Sequence, residues 1–166
     1  MDTLADSAGR GGTVVGMATH PLLVPGVAVG AVDADAYSAW IAVVHQVAHE
    51  LDAAVIGQAE HPGPGRNHYR VRIRSASGTR TRLLLNAVGR LVAASDDPDP
   101  GELTVAFCEV PRGDLFHLAG MRVAGPEELE RLLTDGQTIG LTDTERGDVV
   151  YHRPARVGDV IFNWFD

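Results

Sequence analysis

The chain has 166 residues, 45% of them hydrophobic, which is typical of one domain with a hydrophobic core. Its formal net charge of −8 argues against general nucleic-acid binding, and no apolar run reaches the roughly 18 residues of a membrane span. Cys108 is the single cysteine, which excludes an intramolecular disulfide and a cysteine zinc cage. All 14 basic residues are arginine, as in a GC-rich bacterial coding sequence, and the N-terminus lacks a secretory pattern. We expect a cytoplasmic bacterial protein.

Residues 1–20 show no periodicity and are rich in small and polar side chains, which predicts a loose N-terminal tail before a single domain at 21–166. Residues 22–32 are apolar but contain two glycines and a proline, so we expect at most an edge strand or a bulged strand there.

A helix is predicted over residues 33–52, with Asp33 as its N-cap. Its apolar residues recur at spacings of three and four and define one buried stripe. The stripe consists of Tyr37, Trp40, Ile41, Val44, Val47, Ala48 and Leu51.

Two histidines in this helix, His45 and His49, have the i, i+4 spacing of a zinc site. Gln46 occupies the position where a zinc protease carries its glutamate base, and both histidines lie away from the apolar stripe. We therefore predict two solvated histidines and no metal site.

A strand at 53–59 and a loop rich in proline and glycine precede the clearest local pattern in the chain. From Tyr69 to Arg74, apolar residues alternate with arginines, which is typical of a half-buried strand. A three-residue loop at 77–79 would close a hairpin in which Ile73 faces Leu83 and Arg74 faces Arg82. In this hairpin the apolar residues share one face of the sheet and the arginines share the other.

Positive charge is concentrated around this hairpin: between His61 and Ser95 there are seven arginines and no acidic residue. Like charges on paired strands repel, so carboxylates or an anionic ligand should offset them. The chain's own acidic stretches at 96–102 and 127–130 are one source, and a partner is the other. The partner would be an acidic protein surface or a phosphate-bearing small molecule. The predicted binding residues are Arg70, Arg72, Arg74, Arg80 and Arg82.

A second hairpin is predicted with Arg112–Gly113–Asp114 as its loop, which places Glu109 opposite His117. A carboxylate beside an imidazole suits acid/base chemistry, so this pair is the candidate catalytic pair. A shift of one residue would place Cys108 beside His117 instead, as in a thiolate nucleophile. The alternative for all three residues is a structural role in the sheet.

The C-terminal third predicts a short helix at 126–134 and closing strands in "TIGL", "DVVYH" and "DVIFNWF". Phe162, Trp164 and Phe165 indicate that the chain end is docked into the core, with Trp164 as its anchor.

No nucleotide, hydrolase or cofactor motif is present, and we expect neither a cofactor nor a metal. The predicted fold is α+β: a mostly antiparallel sheet of about six or seven strands with one main helix and one short helix. We expect a non-catalytic binding protein, of the kind found in immunity-type antidotes or pathway adaptors, that uses the arginine-rich hairpin. The alternative is a small biosynthetic isomerase or cyclase with an apolar pocket.

Overall fold

The computed structural model describes residues 21–97 and 105–163, and within these ranges the chain adopts an α+β fold. The strands are β1 Ala54–Glu60, β2 Tyr69–Arg74, β3 Arg80–Asn86, β4 Leu91–Asp96, β5 Phe107–Cys108 and β6 Arg122–Val123. The helices are α1 Ala34–Glu50, α2 Gly113–Leu118, α3 Pro126–Leu129, α4 Asp135–Thr138, α5 Asp143–His152 and α6 Val157–Ile161.

The strands form one mostly antiparallel sheet, which confirms the predicted architecture. Its order is β1-β2-β3-β4-β5, and β6 runs parallel to β4 beside the start of that strand. The β2–β3 turn and the β4–β6 pairing therefore lie at opposite ends of the sheet.

Helix α1 covers one face of the sheet, as the spacing of its apolar residues predicts. Asp33 caps the helix by accepting hydrogen bonds from the backbone N–H groups of Asp35 and Ala36. Trp40 is fully buried against Tyr69 of β2, and the backbone N–H of Asp33 donates to the Tyr69 hydroxyl at 3.0 Å. The helix is confirmed, and so is most of its predicted buried face. Leu51 is exposed, however, whereas Ala36 and Val43 are buried although they were not assigned to the stripe.

The β2–β3 hairpin forms with a longer loop than predicted, at residues 75–79. Val71 faces Leu83 and Arg72 faces Arg82, so the predicted register is wrong by two residues. Side chains on a strand alternate with a period of two, so a shift of two leaves every residue on its predicted face. The apolar and arginine faces of the hairpin are consequently as the alternation predicts.

The second face of the sheet is covered, over part of its area, by the C-terminal helices and the segment before α1. Val160, Ile161 and Phe162 are fully buried against Leu84 and other residues of this face. The prediction of a closing strand in "DVIFNWF" is wrong, because α6 occupies residues 157–161. The chain nevertheless docks into the core up to Phe162, whereas Trp164 and residues 1–20 lie outside the described residues.

Several other predicted strands are wrong. Residues 22–32 form turns, "TIGL" has no strand, and "DVVYH" belongs to α5. The predicted helix at 126–134 ends at Leu129. A short apolar run has no clear period, so helix and strand cannot be distinguished from it alone.

Helix α5 begins with a capping box in which Thr142 and Glu145 bond to each other's backbone N–H groups. The spacing T-x-x-E in the sequence is the signal for this helix start. Within the described ranges, no helix is long and apolar enough to cross a membrane.

Candidate functional site

Five arginines of the β2–β3 hairpin share the sheet face opposite to α1, and we call this set the arginine face. Strand alternation places the side chains on that face, and the register sets Arg72 opposite Arg82 and Arg74 opposite Arg80. The members are Arg70, Arg72, Arg74, Arg80 and Arg82. The structure thus brings together all the binding residues that the sequence predicts.

Asp97, directly after β4, lies among three of these arginines. Its Oδ1 is 2.6 Å from Nε of Arg82 and 3.3 Å from Nε of Arg72, and its Oδ2 is 3.8 Å from Nε of Arg80. The Asp97 side chain is only 5% exposed, whereas those of Arg72 and Arg80 are 40% and 44% exposed. One carboxylate therefore holds three guanidinium groups side by side while leaving two of them open to solvent.

A second carboxylate, Glu60 at the end of β1, pairs with Arg70 at 2.8 Å and with Arg66 at 3.0 Å. Burial acts to raise the pKa of Glu60, but the hydrogen bond and the charge of Arg70 outweigh it, so this pKa is lowered. Sequence analysis missed Glu60, which stands just before the acid-free segment.

Positive charge remains in excess after these pairings. Among residues 21–97 and 105–163, Arg66 and the arginine face provide six guanidinium groups, and the carboxylates paired with them belong to Glu60 and Asp97. Arg74 is exposed, and no ion pair reaches it within residues 21–97 and 105–163. The surface is therefore a preorganised group of donors with a surplus of positive charge, which suits an anionic partner.

Of the two acidic stretches considered as internal partners, only the first contacts the arginine face within the described residues. Asp97 of the first stretch does pair with the arginine face, whereas residues 98–102 of that stretch lie outside the described residues. In the second stretch, Glu128 pairs with Arg122 and Glu130 pairs with Arg156, so neither carboxylate reaches the hairpin through these contacts.

The predicted second hairpin is wrong, because residues 113–118 form α2 and the chain then joins β4 as the parallel strand β6. Arg112, with φ of 50°, starts this helical turn. Glu109 and His117 are both exposed, and Nδ1 of His117 lies 3.2 Å from the backbone oxygen of Met121. The strand pairing that would have joined Glu109 to His117 is thus absent from this region.

Cys108 does not have the environment of a nucleophile. It pairs with Ala94 in the sheet and is half-buried. Burial, together with the nearby carboxylates of Asp96 and Glu109, raises the pKa of the Cys108 thiol. A reactive thiolate requires the opposite shift.

The structure places His45 and His49 on the exposed side of α1, as predicted. The described residues contain no group of three or more side chains that could hold a metal ion. We expect replacement of both histidines with alanine to leave the melting temperature and the metal content unchanged. Differential scanning calorimetry and metal analysis of the purified protein test this, and stoichiometric zinc lost in the double variant would contradict it.

Buried polar residues form a second cluster that sequence analysis missed. Asn67, Asn86 and Asn163 each donate from Nδ2 to backbone oxygens of residues 27–28, and Asn67 and Asn86 also donate to α6. His68 is fully buried beside them, and burial, followed by the charges of nearby arginines, lowers the pKa of His68 well below its usual value. These side chains fasten the segment before α1 and the chain end to the sheet.

Comparison with known protein families, with curated proteins and with solved structures gave no match to this chain.

Proposed function

We propose that this chain is a non-catalytic binding protein that recognises an acidic protein surface through the arginine face. The observation that carries the proposal is the excess of guanidinium groups, within the described residues, that lie in fixed positions around the carboxylate of Asp97. Groups that are already ordered lose less conformational entropy on binding. An immunity-type antidote or a pathway adaptor would use such a surface.

The dimensions of the arginine face favour a partner with several carboxylates. From Arg70 to Arg74 the strand rises about 13 Å, and β3 runs beside β2 at about 4.8 Å. This area exceeds one phosphate group and matches a row of acidic side chains. Each planar guanidinium can bind a carboxylate through two parallel hydrogen bonds.

Within the described residues, the arginine face has fewer hydrogen-bond acceptors than guanidinium N–H donors, which also supports binding to a partner. Nε of Arg70 and Nε of Arg72 are buried and lack a well-aligned acceptor in the described part of the chain, although Asp97 lies near the latter. Asp97 offers two oxygens to three guanidinium groups. Carboxylates from a partner would supply acceptors to the exposed N–H groups of the same arginines.

Arg74→Gln is expected to weaken binding to an acidic probe, for which poly-L-glutamate is suitable, and to reduce the salt dependence of that binding. Exposed charges are screened beyond about 8 Å at physiological ionic strength, so association should also weaken steeply as salt is added. The free energy of unfolding should change by no more than about 0.5 kcal/mol, because Arg74 is exposed. Calorimetric titration at two salt concentrations and chemical denaturation measure the two quantities.

The matched control is Arg90→Gln, which removes the same charge from an exposed arginine in the β3–β4 turn at the other end of the sheet. This variant should bind the probe as the unmodified protein does. Equal losses in both variants would mean that net charge alone attracts the probe. A loss of several kcal/mol of stability in Arg74→Gln would assign the arginine to folding instead.

A further inference from the structure

A cavity of about 580 Å³ lies beside β6, at the end of the sheet opposite to the β2–β3 turn, and shares no lining residue with the arginine face. It opens between the start of the described chain, strand β6 and the region of α3 and α4. Its walls are formed by residues 21–23, Arg122, Glu128, Arg131, Gly136, Gln137, Gly140 and Val157. Cavities of roughly 300–1,000 Å³ are typical of small-molecule sites.

The lining of the cavity combines apolar and charged side chains. Leu23 and Val157 are nearly fully buried, and Leu22 also contributes an apolar side chain to the lining. Arg122 pairs with Glu128 at 3.2 Å, so these two charges offset each other. Arg131 adds a further positive charge, and the wall as a whole is cationic.

Two side chains of the wall, Gln137 and Arg131, carry hydrogen-bond donors that can face a ligand. The Gln137 side-chain oxygen accepts from the backbone N–H and the hydroxyl of Thr134, which orients the amide and leaves its NH₂ group as a donor. Arg131 is exposed and Gln137 is half-buried, and the part of the chain that the structure describes offers neither the guanidinium nor this NH₂ group a hydrogen-bond acceptor, so both are available to a ligand. An anionic head group would satisfy both donors.

We propose that this cavity is a second site, separate from the arginine face, that binds an amphipathic small-molecule anion. The apolar body of the ligand packs against Leu22, Leu23 and Val157, and its carboxylate or phosphate head binds Arg131 and Gln137. Apolar contact supplies affinity, and the few polar groups set the orientation of the ligand.

Four probes distinguish the contribution of the alkyl tail from that of the head group, each titrated calorimetrically into the full-length protein. They are octanoate, octyl phosphate, octan-1-ol and inorganic phosphate. Octanoate, octyl phosphate or both should bind with a stoichiometry of one, and octan-1-ol and inorganic phosphate should bind at least about tenfold more weakly. The stronger of the two anionic probes identifies the head group as carboxylate or phosphate.

Two variants locate the site. Arg131→Gln should weaken the anionic probes by about tenfold and leave octan-1-ol unchanged, because it removes only a charge-assisted hydrogen bond. Gly136→Leu should abolish binding of every octyl probe, since a Cβ at Gly136 meets no atom within 4 Å and the larger side chain can extend into the cavity.

Gly147→Leu is the matched control for the second variant, because Gly147 also lies in a helix with no atom within 4 Å of an added Cβ but is not in the cavity wall. It should leave all affinities unchanged, as should Arg74→Gln on the arginine face. Absence of saturable binding, or binding of either anionic octyl probe that survives Gly136→Leu, would overturn the site. Equal affinity for octan-1-ol and both anions, or indifference to Arg131→Gln, would overturn the anionic head group.

Discussion

Replacing Glu145 with glutamine is expected to lower the free energy of unfolding by about 3 kcal/mol, because the variant loses a buried charged acceptor of several hydrogen bonds. Glu145 is fully buried, and its carboxylate accepts from the backbone N–H groups of Gly26, Ala28 and Thr142 at 2.8–3.0 Å. Gly26 and Thr142 donate to one carboxylate oxygen and Ala28 donates to the other, so a glutamine of the same shape would turn its NH₂ group toward at least one of these donors. The attachment of the segment before α1 to α5 would then be weakened.

The same residue should make the stability depend on pH. Burial acts to raise the pKa of Glu145, but hydrogen bonds from Gly26, Thr142 and Ala28 outweigh it, so the folded-state pKa lies below the usual 4.5. A group whose pKa is lowered on folding stabilises the protein fully above its unfolded pKa and loses that contribution as the pH falls through the folded value. The stability difference between the unmodified protein and Glu145→Gln should therefore shrink below about pH 4.5.

Chemical denaturation at neutral and acid pH measures both effects. Glu127→Gln is the matched control, because Glu127 is exposed at the start of α3 and its replacement should cost little. A Glu145→Gln variant as stable as this control at neutral pH would show that the buried carboxylate is not needed to fasten the segment.

Gly158→Ala is expected to destabilise the protein by about 2–3 kcal/mol, within the range for overpacked cores. A Cβ added at Gly158 would lie 2.4 Å from Cε2 and 2.7 Å from Cζ of the Phe107 ring, and 3.1 Å from Cβ of Leu129. Phe107 is itself buried and lies against Phe162, so its ring has little room to move. The gain of up to about 1 kcal/mol from replacing a helical glycine is too small to offset this clash.

The control is Gly147→Ala in α5, where an added Cβ meets no atom within 4 Å. This variant should gain roughly 0.5–1 kcal/mol from helix propensity alone. Melting temperatures that rise in Gly147→Ala and fall in Gly158→Ala would agree with the close approach of α6 to the sheet. A rise in both would contradict the tight contact at Gly158.

The carboxylate of Asp97 neutralises part of the arginine face, so the arginines of this face differ in how much they contribute to folding. Arg82, with a side chain 12% exposed, lies 2.6 Å from Asp97 and contributes to folding as well as to the surface. Arg74 is exposed, so its replacement should change the affinity for a partner with little effect on the free energy of unfolding. Among the predicted binding residues, exposure therefore decides which substitution is informative.

By itself the sequence determined the parts of this protein that follow from local periodicity. Helix α1 has a continuous stripe and a capping aspartate, and β2 alternates strictly between apolar residues and arginines, so each element selects one buried face. The arginine face could be predicted for the same reason, even though the register of its hairpin could not. Its charge pattern is a property of the local chain, and a shift of two residues does not alter it.

Only the tertiary structure decided the rest. Residues 113–118 and 157–161 are too short to show a distinct apolar period, and they become helices through packing against the sheet. The pairing of Asp97 with three arginines and the burial of Glu145 depend on chain segments that are distant in sequence. No local pattern encodes such contacts, because the distance between two groups is set by how the elements pack.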